Sequence, residues 1–353
     1  MTKSLARITL NGSEKISLIT NLSTMLSAGI PIIEAVNSML EDTKGGQKII
    51  LETLHTDLMQ GNRIYSSLGK FPGTFDAVTI NLIRASEEAG TLETTLEDLR
   101  SHIQKEMEFV DRIRASLIYP IVIIVVFVIM LTVILIFVVP KLASVFKQLK
   151  IPLPLPTRIM IYISDIITQH TIPMVVGLVS FLGLAYYIVK RHRAALVRIL
   201  TNLPLVSNLT KDIDLTRFCR NLYLLLSAGL PITTALELSQ NVVIRAKTAE
   251  LIKTSREMVI SGKQLSEGLK TAKGYLPSIM IKLVEAGEKS GSLDKTLQEI
   301  SEFLDYQVSS SLKNLTALME PIMLVLVGLS VGGMMMAIIA PIYGLVGQIG
   351  GTG

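Results

Sequence analysis

The sequence predicts an all-α membrane protein in which two duplicated cytoplasmic six-helix bundle domains accompany three transmembrane helices. Three observations predict this fold class. Short motifs recur in the same order in both halves of the chain, helical periodicity breaks at Gly and Pro corners, and long uncharged apolar runs follow each half. Apolar residues make up 49% of the chain and charged residues 18%. That balance is too apolar for an ordinary soluble enzyme.

The duplication is visible in matching motifs. Residues 26–34 and 226–234 share the pattern Leu-Ser-Ala-Gly-Ile/Leu-Pro, with Gly29 and Pro31 in the first copy and Gly229 and Pro231 in the second. Later matches are Glu87 with Glu288, Gly90 with Gly291, Pro120 with Pro321, and Pro140 with Pro341. The period is far longer than the roughly 20–50 residues of a solenoid repeat. The pattern therefore indicates a duplicated domain.

Residues 14–116 are predicted to form the first cytoplasmic helical domain. Apolar residues with helical spacing precede Gly29, which ends that helix because glycine tolerates the left-handed conformation. Pro31 suits the first turn of the next helix, where a missing N–H costs nothing. Gly90 stops a later helix, and Thr91 is a plausible N-cap for the long helix that follows. Residues 212–318 are predicted to repeat this domain.

Three apolar segments are predicted to cross the membrane, at residues 117–140, 171–189 and 321–345. The first is uncharged over about 25 residues, more than the ~20 that a spanning helix needs. Four basic residues follow the second segment, namely Lys190, Arg191, Arg193 and Arg198. The positive-inside rule places that end in the cytoplasm. We therefore expect a cytoplasmic N-terminus, a periplasmic loop at residues 141–170 and a periplasmic C-terminus, without a signal peptide.

The sequence offers no catalytic constellation. It contains no Walker A motif and no HExxH motif, and its one GxSxG pattern, at residues 328–332, lies inside the third apolar segment, so it is not a nucleophile elbow. Its single cysteine, Cys219, excludes a disulfide within the chain, and the four histidines are scattered without ligand spacing. We expect no enzymatic activity and no cofactor, and the sequence allows no metal ligands to be assigned. A basic stripe with interleaved aromatic residues is also missing, so we expect no nucleic-acid partner.

The candidate structural or coupling residues are the repeated corner residues and the start of the third span: Gly29, Pro31, Glu87, Gly90, Gly229, Pro231, Glu288, Gly291, Glu320 and Pro321. For Glu87 and Glu288, hydrogen bonding to free backbone N–H groups at a corner is favoured over direct contact with a partner. Glu320 is equally consistent with an anchor at the membrane interface and with a functional ionisable group. Gly328 and Gly332 form a GxxxG pattern, which permits close helix packing and is also common by chance.

The ordered, duplicated motifs resemble the F-protein family, the inner-membrane platform proteins of type IV pilus and type II secretion systems. The motifs that carry the resemblance are Leu26–Pro31, Tyr119-Pro120, Val138–Pro140, Leu153–Thr157, Leu226–Pro231, Gly287–Leu293, Glu320-Pro321 and Pro341. The resemblance implies a non-enzymatic scaffold in the bacterial inner membrane that contacts a hexameric cytoplasmic assembly ATPase. It further implies that the ATPase's motion is transmitted to pilin or pseudopilin subunits entering a fibre.

The resemblance also implies contact with other inner-membrane assembly proteins and membrane lipid, and we expect a homo-oligomer. Two departures from the family pattern matter. Ser86 stands where the family typically has the first glycine of Gly-Glu-x-x-Gly, so the two corners need not act identically. The N-terminus is shorter than in typical secretion-system members, which favours a pilus system, of the type IVb kind.

A transporter or channel subunit is the competing hypothesis, with Glu320 in an ion path. Three spans per chain are few for a pathway, so this hypothesis requires an oligomer. Glu320→Gln separates the two, because loss of ion flux with intact fibres would favour transport. The scaffold hypothesis expects no flux at all.

Overall fold

The computed structural model describes residues 5–148, 155–169, 204–272 and 274–350, and these residues are overwhelmingly helical. The chain divides into two compact units. One combines Met1–Arg112 with Thr201–Ser309, and the other combines Ile113–Leu200 with Ser310–Gly353. We call them the helical unit and the apolar unit. Both copies of the repeat therefore contribute to the same helical unit. The second predicted span, residues 171–189, lies outside the described residues.

The first copy contains six helices: α1 Gly12–Ser27, α2 Ile32–Asp42, α3 Gly45–Met59, α4 Ile64–Leu68, α5 Ala77–Ala89 and α6 Leu92–Val133. A capping box starts α1. The Asn11 side chain accepts a hydrogen bond from the Glu14 N–H at 2.8 Å, and the Glu14 carboxylate accepts one from the Asn11 N–H at 2.8 Å. Two otherwise unsatisfied N–H groups at the helix start are thereby paired.

Helix α6 passes through Pro120 and continues into a π-helical segment, Ile134–Val138, which is followed by α7 Val139–Gln148 and α8 Leu155–Gln169. The segment 141–170 that separates the first two predicted spans is thus partly helical. A small apolar cluster of Val139, Ala143 and Ile161 holds these pieces together. The Ser164 hydroxyl donates to the Leu135 carbonyl at 2.6 Å. This bond pairs a carbonyl in the π-helical segment, where the regular helical ladder is interrupted.

The second copy repeats the order of the first: α9 Pro204–Ser227, α10 Ile232–Gln240, α11 Ala246–Ile260, α12 Leu265–Lys270, α13 Ser278–Ser290 and α14 Leu293–Gly350. Buried side chains of both copies belong to one continuous hydrophobic cluster. Leu51 and Leu54 of the first copy and Leu222 and Leu236 of the second are each 0% exposed. Burial of one shared core explains why the duplicated halves form a single unit.

Among the described residues, two helices are long and apolar enough to cross a membrane by length and composition, within Leu92–Lys141 and Leu293–Gly333. Their apolar stretches are exposed in the folded chain. Ile121 and Val126 are each 58% exposed in α6, and Leu329 is 73% exposed in α14. Long apolar faces that no protein core covers are the surfaces that a bilayer accommodates. The two helices therefore support a membrane location.

Candidate functional site

Gly29 and Gly229 turn the chain between the first two helices of each copy. Their φ angles are 78° and 80°, in the left-handed region. In the first copy the Ile30 N–H donates to the Met25 carbonyl at 3.0 Å and the Gly29 N–H donates to the Leu26 carbonyl at 2.8 Å. The second copy forms the same pair of bonds. This is a Schellman motif, which satisfies the last carbonyls of the helix and requires a residue that accepts positive φ.

Pro31 and Pro231 occupy the N-cap position of the following helix, one residue before the first turn in which the sequence placed Pro31. Their φ angles are both −57°, and ψ is extended at 142° and 139°. Each proline carbonyl accepts the first helical hydrogen bond, from Ala35 or Ala235 at 2.9 Å. The N-cap nitrogen makes no helical bond, so proline is tolerated at this position as well.

Glu87 and Glu288 each cap the start of the short helix in their own copy. The Glu87 carboxylate accepts hydrogen bonds from the N–H groups of Ile64 at 3.1 Å and Tyr65 at 3.3 Å. The Glu288 carboxylate accepts them from Leu265 and Ser266. These are N–H groups that a helix start leaves unpaired. The geometry gives both glutamates a structural role, and their contact with a partner stays a prediction.

Gly90 and Gly291 end α5 and α13 with φ angles of 74° and 71°. The departure at Ser86 has a packing explanation. At the matching Gly287, an added Cβ would lie 2.6 Å from the Thr296 Oγ1 and 2.9 Å from its Cβ. In the first copy, Ser86 is accommodated while 1% exposed, and its hydroxyl donates to the Ile83 carbonyl at 2.9 Å. The two corners therefore share backbone geometry but differ in side-chain packing.

The helical unit brings the second copy's glycine corner against the first copy. The corner between α9 and α10 lies against α5. The groove between them is lined by Arg84 and Glu88 of α5 and by Gly229, Pro231 and Thr234 of the corner. Two candidate residues, Gly229 and Pro231, are thus placed where the copies meet.

A cluster of ionised side chains centres on Arg220, whose side chain is 7% exposed. Its guanidinium donates to Glu106 of α6 and to Asp305 of α14, each at 3.1 Å. It also lies over the Phe109 ring, 5.2 Å from the centroid. Arg217 pairs with Glu106 at 2.8 Å, and Arg112 pairs with Asp305 at 2.8 Å. The cluster links both copies, and the shared carboxylates offset the cost of burying the central charge.

A cleft beside this cluster contains His102 and Lys105 of α6, Leu224 of α9 and Glu302 of α14. Burial, together with the nearby positive charge of Arg220, lowers the pKa of His102 to about 4. The imidazole is therefore neutral at physiological pH. Within the described residues, no group of three His, Cys, Asp or Glu side chains is arranged to hold a metal ion.

Glu320 and Pro321 belong to the apolar-unit part of α14, and both are exposed. They mark the position where the charged part of α14 gives way to its uncharged apolar part. Within the same helix, Gly328 and Gly332 have no heavy atom within 4 Å of an added Cβ. None of the described residues therefore packs against this GxxxG face.

The family profile described as "Type II secretion system (T2SS), protein F" matches residues 18–140 and again residues 218–341. The two matches fall on the two copies and together cover more than half of the chain. The chain belongs to the type II secretion system protein F family. The same family profile therefore matches both halves of the duplication found in the sequence, and the described part of the chain is helical, as predicted.

Named relatives of this F-family protein occur in two kinds of machine. The chain is 30% identical to a type 4 fimbrial assembly protein PilC of Pseudomonas putida, over 92% of this chain and 82% of that protein. It is 29% identical to the type IV pilus assembly protein PilC of Thermus thermophilus, over 93% and 81%. It is 27% identical to the type II secretion system protein F of Pseudomonas aeruginosa, over 94% and 82%.

The F-family chain is thus a platform protein of the type IV pilus and type II secretion kind, and it is not an enzyme. The resemblance drawn from the sequence motifs is confirmed. The predictions that the chain belongs to pilus or secretion assembly machinery and that it associates with a membrane are confirmed, without specific partners or topology. The exact partners, the topology and the type IVb subtype stay predictions.

Sequence reasoning missed the Arg220 cluster in this F-family protein. The signal was present, because Arg220 interrupts the apolar face formed by Phe218, Cys219 and Leu222. Burial raises the pKa of the Cys219 thiol, which is 0% exposed and packs as a small apolar side chain. A buried arginine on such a face needs acidic partners. Those partners lie in distant helices, one of them in the other copy.

Proposed function

We propose that this chain couples a cytoplasmic hexameric assembly ATPase to the insertion of pilin or pseudopilin subunits into a growing fibre. The chain performs no chemistry in this scheme. It receives force at its helical unit and passes the displacement to its apolar segments, in contact with other inner-membrane assembly proteins and lipid. Membership of the F-protein family supports a role in an assembly machine. The two helices that run from the helical unit into apolar stretches support transmission of a displacement from that unit to the apolar segments.

One observation carries the coupling proposal. Helices α6 and α14 each begin two residues after a left-handed glycine, Gly90 or Gly291, and each runs without a loop into an apolar stretch. The two copies are linked by Arg220, which bonds at once to Glu106 of α6 and Asp305 of α14, each before the apolar part of its helix. A displacement of one copy is thereby shared by both long helices. Regular backbone hydrogen bonding makes a helix stiff along its axis.

The proposed topology places the helical unit in the cytoplasm and residues 141–170 in the periplasm of a bacterium, with the C-terminus also periplasmic. Cysteine labelling tests it cleanly because the sole natural thiol is buried. Ser13→Cys and Gln148→Cys, each introduced at an exposed position, are treated with a membrane-impermeant maleimide. In spheroplasts we expect labelling at residue 148 only, and at residue 13 only after lysis. The reverse pattern would contradict this topology.

The coupling proposal is tested by gentle solubilisation of native membranes and capture of the tagged full chain. We expect an assembly ATPase and pilin-like subunits among the captured proteins, identified by mass. A matched capture from cells that lack the ATPase should retain the pilin-like subunits. Recovery of neither partner from a folded protein in fibre-making cells would contradict the proposal.

A further inference from the structure

Helix α8 packs one of its faces against the apolar unit. Ile161 is 8% exposed and belongs to the small apolar cluster that also contains Val139 and Ala143. On the same side, Ser164 is 1% exposed and donates its hydroxyl to the Leu135 carbonyl at 2.6 Å. This face is therefore occupied, and the hydrogen bond holds the middle of α8 beside the π-helical segment.

The opposite face of α8 is also apolar, and it is exposed. Ile159 is 58% exposed, Tyr162 is 68% exposed and Ile166 is 45% exposed. Residues spaced three and four apart lie on one side of a helix, so these side chains form a stripe, which we call the α8 stripe. The charged side chains of α8 are Arg158, near its start, and Asp165. A helix that is apolar on two opposite sides needs a second apolar environment besides the cluster on which it packs.

The depth of α8 in the membrane follows from its bond to the apolar stretch that continues from α6. That stretch carries no charged side chain between Arg114 and Lys141. At ~1.5 Å per residue, a hydrocarbon layer of about 30 Å takes about 20 helical residues, so a stretch that enters near Ala115 leaves near Leu135. The Leu135 carbonyl is the group to which Ser164 donates. The middle of α8 therefore lies at a boundary of the hydrocarbon layer.

Exposed aromatic side chains mark the two boundaries of the same stretch. Tyr119 is 48% exposed near its start and Phe137 is 62% exposed near its end. They are separated by about 27 Å of helix, close to the thickness of the hydrocarbon layer. Tyr162 adds an aromatic side chain near the level of Phe137, in a chain without tryptophan. A tyrosine ring suits a membrane–water boundary because its body is apolar and its hydroxyl is polar.

We propose that α8 is an interfacial helix whose α8 stripe inserts into the lipid of one membrane leaflet and holds the adjoining end of the first apolar stretch at the boundary. The occupant of the stripe is the lipid surface. The stripe lies at the depth where the exposed apolar surface of that stretch ends, so one bilayer covers both. Arg158 is exposed beside the stripe, and a basic side chain in that position suits phosphate headgroups. The inference goes beyond the coupling function and does not depend on it.

Depth-dependent fluorescence quenching tests the proposal in the full-length chain. The sequence contains no tryptophan, so one introduced indole reports on one position. The Tyr162→Trp chain is reconstituted into vesicles of phosphatidylethanolamine and phosphatidylglycerol. The acyl chains carry bromine either near the headgroup or near the methyl end. We expect emission that is blue-shifted relative to water and stronger quenching by the bromine near the headgroup.

Three matched variants provide the depth scale. Val128→Trp, at a 53% exposed position in the middle of the uncharged stretch, should be quenched most strongly by the bromine near the methyl end. Phe137→Trp should show the same ratio of quenching as Tyr162→Trp, because α8 is bonded to the chain near that level. Ser144→Trp, at an exposed position of α7 beyond Lys141, should emit as in water and respond to neither bromine.

Three results for Tyr162→Trp would each overturn the proposal. Water-like emission without quenching would show that the α8 stripe faces the aqueous phase. Strongest quenching by the bromine near the methyl end would place α8 inside the hydrocarbon layer, as part of a span. Blue-shifted emission that neither bromine quenches would show that protein covers the stripe. None of these readouts requires an assembly ATPase or a fibre, so a failed coupling test would leave this one intact.

Discussion

Arg220→Met is the substitution whose effect the structure specifies most fully. Methionine retains an unbranched apolar side chain of similar reach but removes the charge and the hydrogen bonds to Glu106 and Asp305. The side chain of Arg220 is 7% exposed, so water cannot replace the lost guanidinium. The variant also loses the cation–π contact with Phe109.

The magnitude follows from what remains after the substitution. Removing one partner of a buried ion pair typically costs about 3–5 kcal/mol. Here Glu106 keeps Arg217 and Asp305 keeps Arg112, and the two carboxylates are 32% and 19% exposed. These residual contacts reduce the expected loss to about 2–3 kcal/mol. In a unit of this size, that loss corresponds to a fall of about 5–10 °C in melting temperature.

The assay is thermal melting of the purified full chain in mild detergent, with loss of helix monitored by circular dichroism. Arg256→Met is the matched control, because Arg256 pairs with a glutamate, Glu237, that is 58% exposed. Its loss should cost less than ~1 kcal/mol. A double-mutant cycle with Glu106→Gln should show coupling between residues 220 and 106. Equal melting temperatures for the two arginine variants would refute the assignment of Arg220 as the central link between the copies.

Further predictions concern pH, packing, reactivity and assembly. The pKa of His102 is lowered to about 4, whereas the unfolded chain binds the proton near its ordinary value of 6.5. The neutral His102 side chain therefore contributes fully to the free energy of unfolding above pH 6.5. That contribution decreases by on the order of 2–3 kcal/mol as the pH falls to about 4. His102→Gln should remove that part of the acid slope in melting experiments. Gly268→Ala should destabilise the fold by about 1–3 kcal/mol because its Cβ would meet the Ser255 backbone at 2.6 Å, whereas Gly328→Ala should not destabilise it. Cys219 should react with a maleimide only after unfolding, and rapid native labelling would contradict its burial. Gly291→Val should abolish fibre formation while the protein still inserts, because valine resists the left-handed conformation; normal fibres would show that this corner is dispensable.

The corners were predictable from the sequence because their physics is local. A glycine that must adopt positive φ and a proline that follows it restrict only their own residues, and both copies display the same motif. The capping role favoured for Glu87 and Glu288 could be predicted for the same reason. A carboxylate near a helix start has unpaired N–H groups within reach. The sequence did not reveal which backbone groups each glutamate would bind.

The contact between the copies was not predictable in this way. Each copy alone shows the same helical periodicity, and periodicity describes a face without identifying what covers it. Arg220 is paired with Glu106, a residue remote in sequence, and the counterpart of Arg220 in the first copy is Thr20. The charged residues of α6 and α14 therefore resembled an ordinary solvated face until the fold placed them opposite arginines.

The Arg220 cluster also means that the two duplicated halves are not interchangeable. In a chain built from two first halves, the position facing Glu106 would be occupied by threonine rather than arginine. The half-buried Glu106 would then lack its arginine partners, so such a chain would hold its halves together less well. Two second halves would instead present Arg220 to glutamine, because Gln307 is the counterpart of Glu106. After duplication, the two halves became complementary parts, and recombination that exchanges one for the other is selected against by the physics of the buried charge.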